Sequence, residues 1–247
     1  MPEVVGVSAD PAVPAVKGDH SGGGDGVVGV GKRGVVGLSP DGVGVWAKSD
    51  TYEGVHSETH SDKTASIAAY NTNETSHTAA LFAKKLGDVG HAGFFDGAVY
   101  VGGDLTVKGV LHLAGADYAE SMSVAVDTAP VEGMVVVIDD DGRVRPCERE
   151  YDTRVAGVVS GGGGVTAAVV LDRHEGGIPL AMMGKLWVFG DATEVAIRCG
   201  DLLTTSTMPG HARRVDEPGR AFGAVIGKAL SPLAAGTGLV RVLVNAG

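Results

Sequence analysis

Large aromatic side chains and clustered charge are what this 247-residue chain has least of. Five Phe, five Tyr and two Trp are too few for a core of large side chains, which argues against a helical or doubly wound enzyme. Two cysteines, Cys147 and Cys199, show no CxxC-type spacing, so both are read as free thiols rather than as a disulfide or a metal site. No apolar run approaches the roughly 20 residues that span a bilayer, and Met1 to Asp10 lacks the basic start and apolar stretch of a secretory leader. Synthesis in the cytoplasm, without a signal peptide and without membrane insertion, is therefore expected. The net charge of -10, with Lys and Arg scattered, offers no electrostatic footprint for nucleic acid.

Glycine is what the chain has in excess: forty residues, a composition for tight turns and close backbone approach. Valine dominates the apolar set and β-branched residues suit pleated surfaces, so the fold class is all-β. Residues 1–25, with Pro2, Pro11, Pro14 and then Ser21-Gly22-Gly23-Gly24, read as an extended arm that orders against an attachment partner. Residues 26–97 repeat a degenerate unit of small, apolar, variable and small residues. It runs through Gly26-Val27-Val28-Gly29, Gly34-Val35-Val36-Gly37, Gly44-Val45-Trp46-Ala47, Gly54-Val55-His56-Ser57, Ser66-Ile67-Ala68-Ala69, Ala80-Leu81-Phe82-Ala83 and Gly93-Phe94-Phe95-Asp96. Successive starts lie 8, 10, 10, 12, 14 and 13 residues apart.

One or two apolar side chains per unit cannot offset about 1–2 kcal/mol of backbone entropy for each ordered residue. Other strands must supply the missing burial. A single-chain solenoid would stack rungs of constant length, whereas a shaft of three intertwined chains tolerates drift, with glycine and alanine where three backbones meet. The homotrimeric, triple-stranded β shaft is the better fit and the solenoid is the alternative.

Residues 98–115 form a neck, where Ala98 to Leu111 alternates around Gly102-Gly103-Asp104 as a hairpin would. Residues 116–247 read as a small β-barrel or sandwich with an internal duplication. Glu132-Gly133-Met134-Val135-Val136, Gly142-Arg143-Val144-Arg145 and Arg154-Val155-Ala156-Gly157-Val158-Val159 match Cys199-Gly200-Asp201-Leu202-Leu203, Gly210-His211-Ala212-Arg213 and Arg220-Ala221-Phe222-Gly223-Ala224-Val225. Gly133, Gly142 and Gly157 then correspond to Gly200, Gly210 and Gly223, at offsets of 66 to 68. Further strands are expected over Val165–Leu171, Leu180–Phe189 and Leu239–Val244.

Candidate chemistry is sparse. Asp117 and Glu120, beside Tyr118, would form a catalytic acid/base pair if burial raised one pKa and left the other ionised; otherwise Asp117 caps a turn and Glu120 is solvated. His56, His60, His77 and His91 would each occur three times around a trimer axis, where rings of imidazole bind transition metals, but no close-spaced ligand set makes surface histidines the simpler account. Gly161-Gly162-Gly163-Gly164 lacks the Lys-Ser/Thr of a phosphate loop and reads as a flexible hairpin loop. Ser160 and His174 lack a Gly-x-Ser-x-Gly elbow, so a serine-hydrolase pair is not expected. No cofactor is expected.

Four stretches carry a resemblance: Ala116-Asp117-Tyr118-Ala119-Glu120, Tyr151 to Ser160, Gly200 to Ser206, and Ala221 to Leu230. Together they resemble the C-terminal domains of bacterial and phage tail-fibre-like proteins, which follow a glycine-rich triple-stranded shaft. Ala-Asp-Tyr-Ala-Glu is similar to the start of the self-cleaving chaperone domain of phage neck-appendage proteins, where carboxylates are implicated in cutting the chain. The resemblance implies a homotrimeric fibre whose C-terminal domain drives trimer assembly, in an extracellular or phage-tail-like particle. It also implies a surface or receptor to attach to, and two alternatives: an autoprotease cutting near Asp117 and Glu120, or a glycan-binding tip.

Overall fold

The computed structural model describes residues 6–10, 14, 16–22, 24–87, 89–127 and 129–245. Pro2, Pro11 and Gly23 of the expected arm lie outside the described residues. The chain divides into two compact units, Met1–Tyr100 and Val101–Gly247.

Among the described residues of the first unit no helix or strand forms, and the repeat grammar acquires a geometric meaning instead. The small residues that end one unit and begin the next face each other across the neck of a loop. A Cβ on Gly34 would stand 2.6 Å from the Gly29 carbonyl oxygen, one on Gly44 2.9 Å from that of Gly37, and one on Gly26 3.1 Å from that of Gly18. Side chains larger than hydrogen have no room at such a neck. Where Ala47 replaces glycine the neck opens, the Gly54 Cβ position standing 3.6 Å from the Ala47 oxygen. Further along, the Ser57 hydroxyl donates to the Ser66 carbonyl at 2.7 Å and the Asn71 amide to the Thr78 carbonyl at 3.3 Å. Every four-residue segment between necks leaves its large apolar side chains in solvent, Trp46 at 81% exposure and Phe82 and Phe94 at 80%.

The hairpin expected over Ala98 to Leu111 is not formed: residues 98–116 carry no strand. Val99, Tyr100, Leu105, Val110 and Leu111 are all exposed, and a two-stranded ribbon that buries nothing is marginal in water.

Alternation of buried and exposed side chains governs the second unit. Its strands are β1 (Asp117–Met122), β2 (Val135–Ile138), β3 (Val144–Pro146), β4 (Val155–Val159), β5 (Val169–Leu171), β6 (Ile178–Ala192), β7 (Leu202–Thr205), β8 (Ala212–Arg214), β9 (Val225–Ala229) and β10 (Gly236–Asn245). The hydrogen-bonded path from β6 through β8, β7, β9 and β10 returns to β6 and closes a barrel, which removes the open edges of a sheet. The 15-residue β6 serves both halves of the unit: its far half pairs with β10 from Met183 to Ala192, and its near half carries β4, β2, β3 and β1. The fold is all-β, with two buried clusters. One centres on Leu186, Val188, Ile197, Leu203, Val240 and Val242, the other on Val136, Val144, Val159 and Leu180. Strand β2 reaches both, since Val135 and Val137 face the first and Val136 the second.

The duplication is real but its last element is shifted. Strands β3-β2-β4 and β8-β7-β9 have the same order, with a bulge after the second residue of β2 and of β7. Gly133 donates its N–H to Val159 and Gly200 to Ala229; Cys147 donates to Val135 and Val215 to Leu202. Opposite the bulges, Val136 pairs with Gly157 and Leu203 with Gly227. The counterpart of Gly157 is therefore Gly227 and not Gly223. The connection before β9 (residues 215–224) is two residues longer than that before β4 (residues 147–154), and Gly223 belongs to that connection.

The four glycines 161–164 also differ from the expected flexible loop. Gly162–Gly164 is a 3-10 turn packed on β6: Gly162 is buried, its Cβ position blocked by the Trp187 carbonyl, and that of Gly163 by the Trp187 ring.

Candidate functional site: a polar cleft over Asp117

Strand β1 has a two-residue period, so Asp117, Ala119 and Ser121 face inward while Tyr118, Glu120 and Met122 face the other way. That parity separates the two expected catalytic residues. Glu120 is half-buried, in register with Leu171 of β5 and Leu180 of β6, and no hydrogen bond joins it to Asp117 among the described residues. Within one chain the acid/base pair is not assembled, because residues three apart on a strand point to opposite faces.

The partner of Asp117 comes from the end of β4. The Ser160 hydroxyl donates to Asp117 Oδ1 at 3.0 Å, and both residues are buried. Asp117 Oδ2 is buried with no hydrogen-bond partner among the described residues. Burial pushes the Asp117 carboxyl above its ordinary pKa, and the Ser160 hydrogen bond opposes that shift without cancelling it. Gly184 of β6 makes the approach feasible: a Cβ there would stand 2.6 Å from the Asp117 Cα.

Ser160 and Ser121 also line a cleft of about 730 Å³, walled by Glu132, Thr166, Arg173 and His174. The ring of His174 is held by the Asp172 carbonyl at Nδ1 (2.9 Å) and lies 3.3 Å from the Ser123 hydroxyl at Nε2. Ser160 and His174 thus share a cleft but have different partners, and no serine–histidine couple forms between them. No Phe, Tyr or Trp lines the cleft, so its one aromatic ring is the imidazole of His174.

His56 donates from Nδ1 to Glu53 at 2.6 Å, with Glu58 3.9 Å from its Nε2, and His60 lies 3.7 Å from Glu58. All three contacts are exposed and local. Neither these histidines nor His77 and His91 join a group of three or more potential ligands among the described residues. Cys147 and Cys199 are unpaired; Cys147 is buried, donates to the His211 carbonyl, and has its thiol pushed up to about 11 by burial.

Sequence reasoning missed the Ser160–Asp117 pair, whose members lie 43 residues apart. It also missed the clasp between the duplicated halves. The Tyr151 hydroxyl donates to Asp216 Oδ1 at 2.5 Å and accepts from the Asp216 and Glu217 N–H groups, while Arg220 stacks 4.4 Å above its ring. Glu150 receives both Arg213 and Arg220.

No family model matches the sequence, and no curated protein matches it. No helix among the described residues is long and apolar enough to cross a membrane.

Proposed function

We propose that this chain is a self-assembling fibre protein, in which three copies wind their repetitive halves into a shaft and the C-terminal barrel sets their register. One observation carries the reading: the repeat segments of the first unit present their large apolar side chains to solvent, whereas the barrel unit has two buried apolar clusters. Burying a Val, Leu or Phe contributes roughly 1.5–3 kcal/mol, and the repeats supply these residues along the whole first unit. The glycine necks support intertwining, since they are the points where backbones approach without side chains between them. The arm then attaches the fibre to a larger particle, and a surface receptor completes its role.

Native mass spectrometry tests the reading. A complex of three 24.9 kDa chains is expected. A stable monomer at micromolar concentration would sink it.

A second reading, self-processing at the head of the barrel, is favoured by the protonation-prone Asp117 held against Ser160. Denaturation of the same complex separates the two. Fragments meeting near residues 115–117, and lost in Asp117→Asn, favour processing; chains of full mass eliminate it.

A further inference from the structure

The turn Ala221–Ala224 holds the most exposed large apolar residue of the barrel unit. Phe222 is 96% exposed, between Ala221 and Ala224, which are both buried. The Ala224 N–H donates to the Ala221 carbonyl at 3.0 Å, and Gly223 has φ +75°. A four-residue turn with positive φ at its third position places its second residue at the outer corner, so the backbone itself directs Phe222 away from the barrel. Polar residues suit such a corner, and an aromatic ring 96% exposed there gains little from burial in its own chain.

The base of this turn is braced. Arg220 is held between the Tyr151 ring and the carboxylates of Glu150 and Glu217. A ring presented on a braced turn loses little conformational entropy on docking, which favours its use as an anchor.

Beside the turn lies an apolar groove of about 260 Å³. It is lined by Val155, Ala156 and Gly157 of β4, Val225 and Ile226 of β9, and Val244, with Gly223 at its rim. Every lining residue is glycine or aliphatic. Both copies of the duplication bulge beside this groove, at Ala156 against β2 and at Ile226 against β7, and both bulge residues line it. A dry cavity of about 150 Å³ accepts benzene, so this groove has room for a phenyl ring.

We propose that Phe222 of one chain seats in the β4–β9 groove of a neighbouring copy. Three observations favour a second copy as the occupant: the knob and the hole are on one surface of one chain, they match in size and apolar character, and the knob does not fill its own groove. A head-to-tail contact of this kind repeats from copy to copy and closes a ring where the rotation between copies closes. The proposal rests on the reading of the chain as a self-assembling protein, and adds the barrel residues that would fix the register.

The test uses the full chain with a photoreactive benzophenone side chain at position 222, in an equal mixture of 14N- and 15N-labelled protein. Cross-links of mixed isotope to residues 155–157, 225–226 or 244 are expected. Cross-links confined to one chain, or landing on other surfaces of a neighbour, overturn the proposal. Phe222→Ser provides an independent check, because a side chain 96% exposed in its own chain contributes little to the fold of that chain. The variant is expected to dissociate at a protein concentration at least tenfold higher than wild type, and unchanged dissociation overturns the contact. A monomeric wild type would defeat the assembly reading itself, whereas an oligomeric wild type without groove cross-links defeats only this contact.

Discussion

Asp117 is a carboxyl group that its surroundings favour in the neutral form, with Oδ2 buried and without a hydrogen-bond partner among the described residues, and Ser160 donating to Oδ1. Its folded pKa lies above the unfolded value, so its contribution to stability is fully present below about pH 3.9 and is lost as pH rises through the raised folded value. Asp117→Asn removes that dependence. Urea unfolding at pH 3.5 and pH 7 is expected to show the variant gaining on wild type as pH rises; an equal difference at both values would contradict the assignment. Asp216 has the opposite sign. The Tyr151 hydroxyl, ahead of the Arg213 charge, holds its carboxyl below the ordinary range, so its contribution is present above about pH 3.9 and is lost at lower pH. Tyr151→Phe removes a hydroxyl with three partners and leaves the Asp216 and Glu217 N–H groups without their acceptor. A loss of about 1–3 kcal/mol at pH 7 is expected in urea unfolding, shrinking below pH 3.5.

At the scale of elements, glycine is required beside each of the two bulges. A Cβ at Gly157 would stand 2.6 Å from the Ala181 carbonyl oxygen, and one at Gly227 closer still to that of Leu243. Both obstacles are backbone in a paired strand and cannot move aside. Gly227→Ala is expected to cost about 2–3 kcal/mol in thermal or chemical unfolding, while Gly219→Ala, with open space around its Cβ, stays within about 0.5 kcal/mol. Gly157 and Gly227 also show why the duplication was only partly legible. Strand spacing and the first two glycine matches could be read from the sequence, but a connection longer by two residues made Gly223 mimic the true counterpart. Pairing register, which sequence spacing does not encode, resolves it.

At the scale of the molecule, the two units differ in how they satisfy their apolar residues. The barrel has two buried clusters of its own, whereas the first unit exposes Trp46, Phe82, Phe94 and the valines among its described residues. A chain truncated after Gly115 is therefore expected to aggregate or remain monomeric, as read by sedimentation velocity against the full-length protein. A truncated chain that trimerised with undiminished stability would contradict a registering role for the barrel.

The all-β class, the sparse repeats, the turn-rich second half and the number of its duplicated strands followed from the sequence alone, because side-chain period and glycine spacing are local properties that composition reports directly. What only the tertiary structure decided was which residues meet. Strand parity turned Glu120 away from Asp117, pairing brought Ser160 to it from 43 residues away, and the closing of β10 on β6 made a barrel rather than a sandwich. Such contacts depend on register and closure, and these are settled by burial across distant strands rather than by any one stretch of chain.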